Sequence, residues 1–138
     1  MRIFVAGATG VIGWRLVPLL VAYRHDVAAM TRSESKLVEL QLIGATPILC
    51  DVFERDELVR VLTAYEPDIV IHQLTDLPDN RTQIPEYSST NNRIRREGTT
   101  NLVDAAQACG AKVMAQSVAW MLPGVARQSI QLRTRHSQ

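Results

Sequence analysis

The chain reads as an α/β protein built on a doubly wound parallel sheet. Three observations carry that expectation. Short apolar runs of strand length recur five times along 138 residues. Each run is joined to the next by a segment long enough to cross over as a helix, which forces parallel pairing. The first run ends in a glycine turn that opens directly into an amphipathic segment.

The elements follow in order. Residues 3–6 form a buried first strand that stops at Gly7. A helix is expected over about 11–23, turning Ile12, Leu16, Leu19 and Leu20 to one side, with a slight bend at Pro18, which lacks a backbone donor. Residues 26–30 give a second strand. Ser33 and Ser35 are placed to cap a helix over about 34–43, and Gly44 ends it. Residues 47–50 give a third strand. A helix over about 54–65 follows, with Leu58, Val61 and Leu62 inward, and Pro67 closes the connection. Residues 68–72 form the fourth strand, and a long helix over about 91–109 carries Ile94, Leu102, Val103, Ala105 and Ala106. Residues 112–116 form the fifth strand. Right-handed crossovers then predict the order 3-2-1-4-5, with ligands bound beyond the carboxyl ends of the strands, where the order reverses. The polar stretch 75–90 is expected to be a long loop beside that site. Residues 1–122 make one domain and 123–138 an irregular tail.

Composition narrows the function. Apolar residues make up 46% and charged residues 21%, with a net charge of +1, the profile of a soluble globular protein without the basic excess of a nucleic-acid binder. Cys50 and Cys109 lack the number and spacing of a disulfide framework or a metal site, so no metal is expected. No signal-peptide pattern and no apolar run of about 18 residues is present, which predicts a cytoplasmic protein away from membranes.

The motif Gly7-Ala8-Thr9-Gly10-Val11-Ile12-Gly13 carries the chemistry. Gly7 lets the chain leave the strand sharply, Gly10 lets a pyrophosphate approach the backbone, and Gly13 brings the helix close to the sheet. Free N–H groups and the helix dipole then face the phosphates. A tight strand–helix turn with no ligand is the alternative. At the end of the second strand, where an NAD site places Asp or Glu, stand Thr31, Arg32 and Ser33. Arg32 suits a 2′-phosphate, with Thr31 and Ser33 as further donors, which favours NADP over NAD. A surface arginine in a helix-capping loop is the alternative there.

With these residues in view, the chain resembles the front half of the extended or atypical short-chain dehydrogenase/reductase family, in its NAD-dependent epimerase/dehydratase branch. The matching pieces are residues 5–13, Cys50-Asp51-Val52, residues 68–72 and residues 97–106, collinear over about 1–122. The resemblance implies a Rossmann fold. It places Asp51 and Val52 at the adenine, with Asp51 accepting from its exocyclic amine. The helix N-cap is a second role for Asp51. Gln73, Leu74 and Thr75 line the ribose and diphosphate, His72 is a packed, hydrogen-bonded residue, and Ser117 stands beside the nicotinamide as the one catalytic candidate. It further implies a small carbonyl compound or a sugar nucleotide as substrate.

Departures from the family pattern are plain. No Tyr-x-x-x-Lys pair occurs, Val118 stands where the catalytic hydroxyl is usual, and Arg95 replaces an Asn three residues before Gly98. The later strands and substrate part are absent, so a truncated chain that binds cofactor without turnover is expected. The alternative is a non-catalytic sensor or interaction module, or a decayed remnant. An uncovered sheet edge further predicts homodimers or low solubility.

Overall fold

The computed structural model describes residues 1–76 and 84–116, with backbone alone for 84–88. Ser117, Val118 and the tail 123–138 lie outside the described residues. Five parallel strands make one sheet in the order β3-β2-β1-β4-β5, as expected from the crossover pattern. The strands are β1 (Arg2–Ala6), β2 (Asp26–Thr31), β3 (Thr46–Leu49), β4 (Ile69–His72) and β5 (Lys112–Ala115). The helices are α1 (Gly13–Ala22), α2 (Leu37–Leu42), α3 (Arg55–Tyr65), α4 (Ile84–Arg93) and α5 (Thr99–Ala108).

Side-chain alternation splits the core into two layers. Phe4, Ala6, Ala28, Met30 and Val70 face one way and pack with Leu58 and Leu62 of α3 and Leu102, Ala105 and Ala106 of α5. Ile3, Val5, Val27, Ala29 and Ile71 face the other way, against Val17 of α1 and Leu40 of α2. The inner strands are therefore buried on both faces, which is why they read as unbroken apolar runs.

Several expectations change at this level. In α1 the buried stripe is Gly13 and Val17, while Ile12 and Leu19 are exposed. The helix begins two residues later than expected, so Val11 and Ile12 belong to the turn and the inward stripe is rotated. Pro18 does lie inside α1. Ser33 and Ser35 do not cap a helix. Their hydroxyls bond each other at 2.9 Å, and the segment opens with a 3₁₀ turn, Glu34–Lys36. Gly44 ends α2 with φ +90°, the left-handed conformation expected of it.

The expected loop over 75–90 is helical from Ile84 onward, while 77–83 lies outside the described residues. Pro85 falls in the first turn of α4, where its missing N–H breaks no bond. The expected single helix over 91–109 is instead α4, a π turn (Ile94–Gly98) and α5 in series. At the far edge, β5 pairs with β4, and all four of its residues are exposed, Val113 and Met114 among them. No helix among the described residues is long and apolar enough to cross a membrane.

Candidate functional site

A cleft of about 180 Å³ lies at the carboxyl ends of the strands, as the switch in strand order requires. Its floor is the glycine turn. Gly7 has φ +86°, and a Cβ there would stand 2.4 Å from the Gln73 carbonyl oxygen. A Cβ on Gly13 would stand 2.4 Å from the Gly7 oxygen and 2.5 Å from that of Ala8. Both glycines are demanded by the chain's own packing. Gly10 differs. A Cβ there would meet only the Gly7 oxygen, at an ordinary 3.5 Å, and Gly10 lines the cleft. Its missing side chain leaves room for something outside the protein.

The same turn offers donors. Gly10 donates to Gly7 at 3.2 Å and Ala8 to Met30 at 3.2 Å. Among the described residues no backbone carbonyl accepts from Thr9, Val11, Ile12 or Gly13, the unpaired N–H groups of a helix start. An open backbone cradle with unpaired donors fits a diphosphate. Of the motif, Gly7, Thr9 and Gly10 line the cleft; Ala8 is fully buried, and Ala8, Val11, Ile12 and Gly13 are not brought to the lining.

At the end of β2, Thr31 is buried and its hydroxyl is already engaged. It accepts from the Ser33 N–H at 3.1 Å and pairs with the Thr9 hydroxyl at 3.2 Å. Arg32 lines the cleft with an exposed side chain, and its Nη2 meets Asp76 Oδ1 at 3.1 Å. No carboxylate stands on β2 at the cleft.

The wall beyond β3 is Asp51, Val52 and Phe53. Asp51 Oδ1 accepts from the Phe53 N–H at 2.9 Å. It thus braces its own turn, and the N-cap of α3 is Glu54, so the expected capping of that helix by Asp51 is corrected. The buried Asn101 amide donates to the Val52 carbonyl at 3.0 Å. A Cβ on Gly98 would come to 3.1 Å from Val52 Cγ1, so the π turn is shaped to let Val52 in. Arg93 lies over the Phe53 ring at 3.9 Å and is held by Glu97 at 2.8 Å.

Gln73, Leu74 and Thr75 line the third side. Behind them His72 Nδ1 accepts from the Leu74 N–H at 3.2 Å. The neutral ring then carries its proton on Nε2, which donates to the Thr99 hydroxyl at 2.8 Å, and Thr99 passes a bond to the Ile94 carbonyl at 3.5 Å. Burial holds the His72 pKa below its ordinary value. His72 is a packed brace, as expected. Sequence reasoning missed Met30, Cys50, Phe53 and Ile94 on the cleft wall. Phe53 directly follows the motif Cys50-Asp51-Val52 and was within reach; Ile94 comes in through the π turn, which leaves no mark in sequence.

The family model for the NAD dependent epimerase/dehydratase family matches residues 3–134. The chain belongs to that family. It is 41% identical over 121 residues to a 3-diazoavenalumate denitrifying reductase from a Streptomyces species. It is 28% identical over 90 residues to the sterol-4-alpha-carboxylate 3-dehydrogenase, decarboxylating, of Dictyostelium discoideum. These matches cover 87% and 65% of this chain but 38% and 27% of the relatives. The chain therefore spans well under half the length of the relatives it matches. Among solved structures, UDP-glucose-4-epimerase from Stenotrophomonas maltophila with bound NAD superposes with a TM-score of 0.72 at 19% identity, covering 86% of this chain and 37% of that one. The UDP-glucose 4-epimerase of Thermus thermophilus in complex with NAD gives 0.68 at 23% identity, over 80% and 35%. At those identities the likeness shows the shared Rossmann fold.

Proposed function

We propose that this chain is the cofactor-binding part of an epimerase/dehydratase-type oxidoreductase and that it prefers NADP. One observation carries the binding: Gly10 lacks a side chain where no protein atom would crowd one, at the cleft and beside unpaired N–H groups. A ligand-free turn explains Gly7 and Gly13 but leaves Gly10 unexplained.

In this proposal the turn from Gly7 to Gly13 holds the diphosphate by its backbone. Asp51 and Val52 hold the adenine, Gln73, Leu74 and Thr75 line the ribose and diphosphate, and Arg32 receives the 2′-phosphate, while the Thr31 hydroxyl keeps its bonds to Ser33 and Thr9 and Ser33 stands off the cleft lining. The nicotinamide, when bound, supplies hydride transfer. The family's description names NAD. The preference for NADP rests on Arg32 and on the lack of a β2 carboxylate to accept from a ribose 2′-hydroxyl. A small carbonyl compound or a sugar nucleotide is the substrate class, supported by relatives named as reductases and 4-epimerases. A cytoplasmic, reducing setting belongs to the same proposal. Cys50 and Cys109 are both unpaired, and burial, then Glu57 and Asp51, push the Cys50 thiol up to about 11, which makes it unreactive.

A non-catalytic sensor or interaction module is the second reading. Ser117, the catalytic candidate, lies outside the described residues. We also infer that the exposed β5 edge pairs with a second copy.

Calorimetric titration with NADPH and NADH, on the wild type and Arg32→Ala, tests the cofactor claim. The substitution is expected to weaken NADPH by about 1.5–3 kcal/mol, as for a hydrogen bond to a charged group, and to spare NADH. Equal loss for both removes Arg32 as a phosphate ligand, and no binding of either removes the whole proposal. Sedimentation of the same samples is expected to show dimers; a monomer at all concentrations removes the edge pairing.

A further inference from the structure

We infer that Asp76 sets the strength of the preference for a 2′-phosphate, by competing with that phosphate for Arg32. The inference rests on the proposed role of Arg32 and adds a second residue to it. β2 and β4 are the two neighbours of β1, with Met30 and His72 both in register with Ala6. Arg32 stands two residues past Met30, and Asp76 four past His72. Their ion pair, at 3.1 Å, therefore spans the carboxyl end of β1, where the glycine turn begins. It bridges the two rims on either side of the cradle.

The partners are not equivalent. Arg32 is 59% exposed and Asp76 only 21%. The Asp76 backbone N–H is also held by the Asn91 side chain at 3.5 Å, and Asn91 is itself buried. Asp76 is the anchored end and Arg32 the end free to turn. Asp76 takes Nη2, one arm of the guanidinium's terminal fork, so a phosphate gripped by both arms of that fork competes for the same nitrogen. A dianionic 2′-phosphate is the stronger ligand and wins, but only after the bond to Asp76 is given up. A ribose 2′-hydroxyl has no charge with which to displace the carboxylate. The bridge thus stays closed over a ligand that lacks the phosphate.

The test compares adenosine 2′,5′-bisphosphate with adenosine 5′-monophosphate, which differ only in the group at issue, on the full chain. Asp76→Asn is expected to tighten the bisphosphate by about two- to fivefold, the factor that an exposed ion pair supplies, and to leave the monophosphate unchanged. In an Arg32→Ala background the gain should vanish. An unchanged or weakened bisphosphate affinity overturns the inference, as does equal tightening of both ligands or a gain that survives without Arg32. The two claims fail separately. If Arg32→Ala weakens the bisphosphate while Asp76→Asn does nothing, Asp76 alone is wrong; if Arg32→Ala also does nothing, the NADP preference falls with it. Urea melts of each variant check that the fold is kept.

Discussion

The floor of the cleft and its walls are built by different means. The floor is a backbone turn whose shape demands Gly7 and Gly13, where a Cβ would stand 2.4–2.5 Å from carbonyl oxygens. The wall is assembled from afar, with Val52 held by Asn101 and Gly98, Phe53 covered by Arg93, and Leu74 hung from His72, itself tied to Thr99. A local turn is written in adjacent letters, whereas a wall made by a partner some fifty residues away is not.

The sharpest way to break this comparison lies within the floor. Gly7→Ala should cost about 2–4 kcal/mol in urea-melt stability, since it combines a positive φ with a backbone clash that no rotamer relieves. Gly10→Ala should barely move stability yet abolish measurable NADPH binding. If the two variants destabilise alike, Gly10 serves the fold and the cradle has no ligand to admit.

On the wall, Asn101→Ala leaves the buried Val52 carbonyl without its donor, an expected loss of about 1–3 kcal/mol. Weakened NADPH binding should accompany it, because Val52 loses its tether. Unchanged binding would make the wall a bystander to the ligand.

The smallest effect should come from pH. The folded pKa of His72 is depressed by burial, so the neutral ring is favoured in the native state. Its contribution is fully present above the unfolded value near 6.5 and is lost as pH falls through the lower folded value. Stability should begin to drop as pH falls below about 6.5, and the drop should shrink in His72→Gln. An identical pH profile in that variant would show that the Leu74 contact does not depend on a neutral ring.

Legibility in the sequence follows the same division. Strand order was readable because buried parallel strands are continuous apolar runs and their crossovers have a fixed hand. The glycine turn was readable because its residues are adjacent. α4 was not, since a polar run with two prolines and several Ser, Thr and Asn residues has no apolar stripe to mark a helix. In α1 too many apolar residues were available, and starting the helix early put Ile12 and Leu19 on the wrong face. Arg32 was visible as a cation at the right place. Its engagement by Asp76, 44 residues on, needed the fold.

The π turn at Ile94–Gly98 gives this molecule an unusual degree of freedom. It carries a surplus residue in an otherwise continuous rod, so trimming one position there would restore regular winding on both sides. Because the wider turn absorbs that residue, both flanks would keep their phase, and what would be lost is the bulge itself, with Ile94 on the cleft wall and Gly98 against Val52. A shorter segment would then keep the sheet and lose the seat that the bulge makes for Val52.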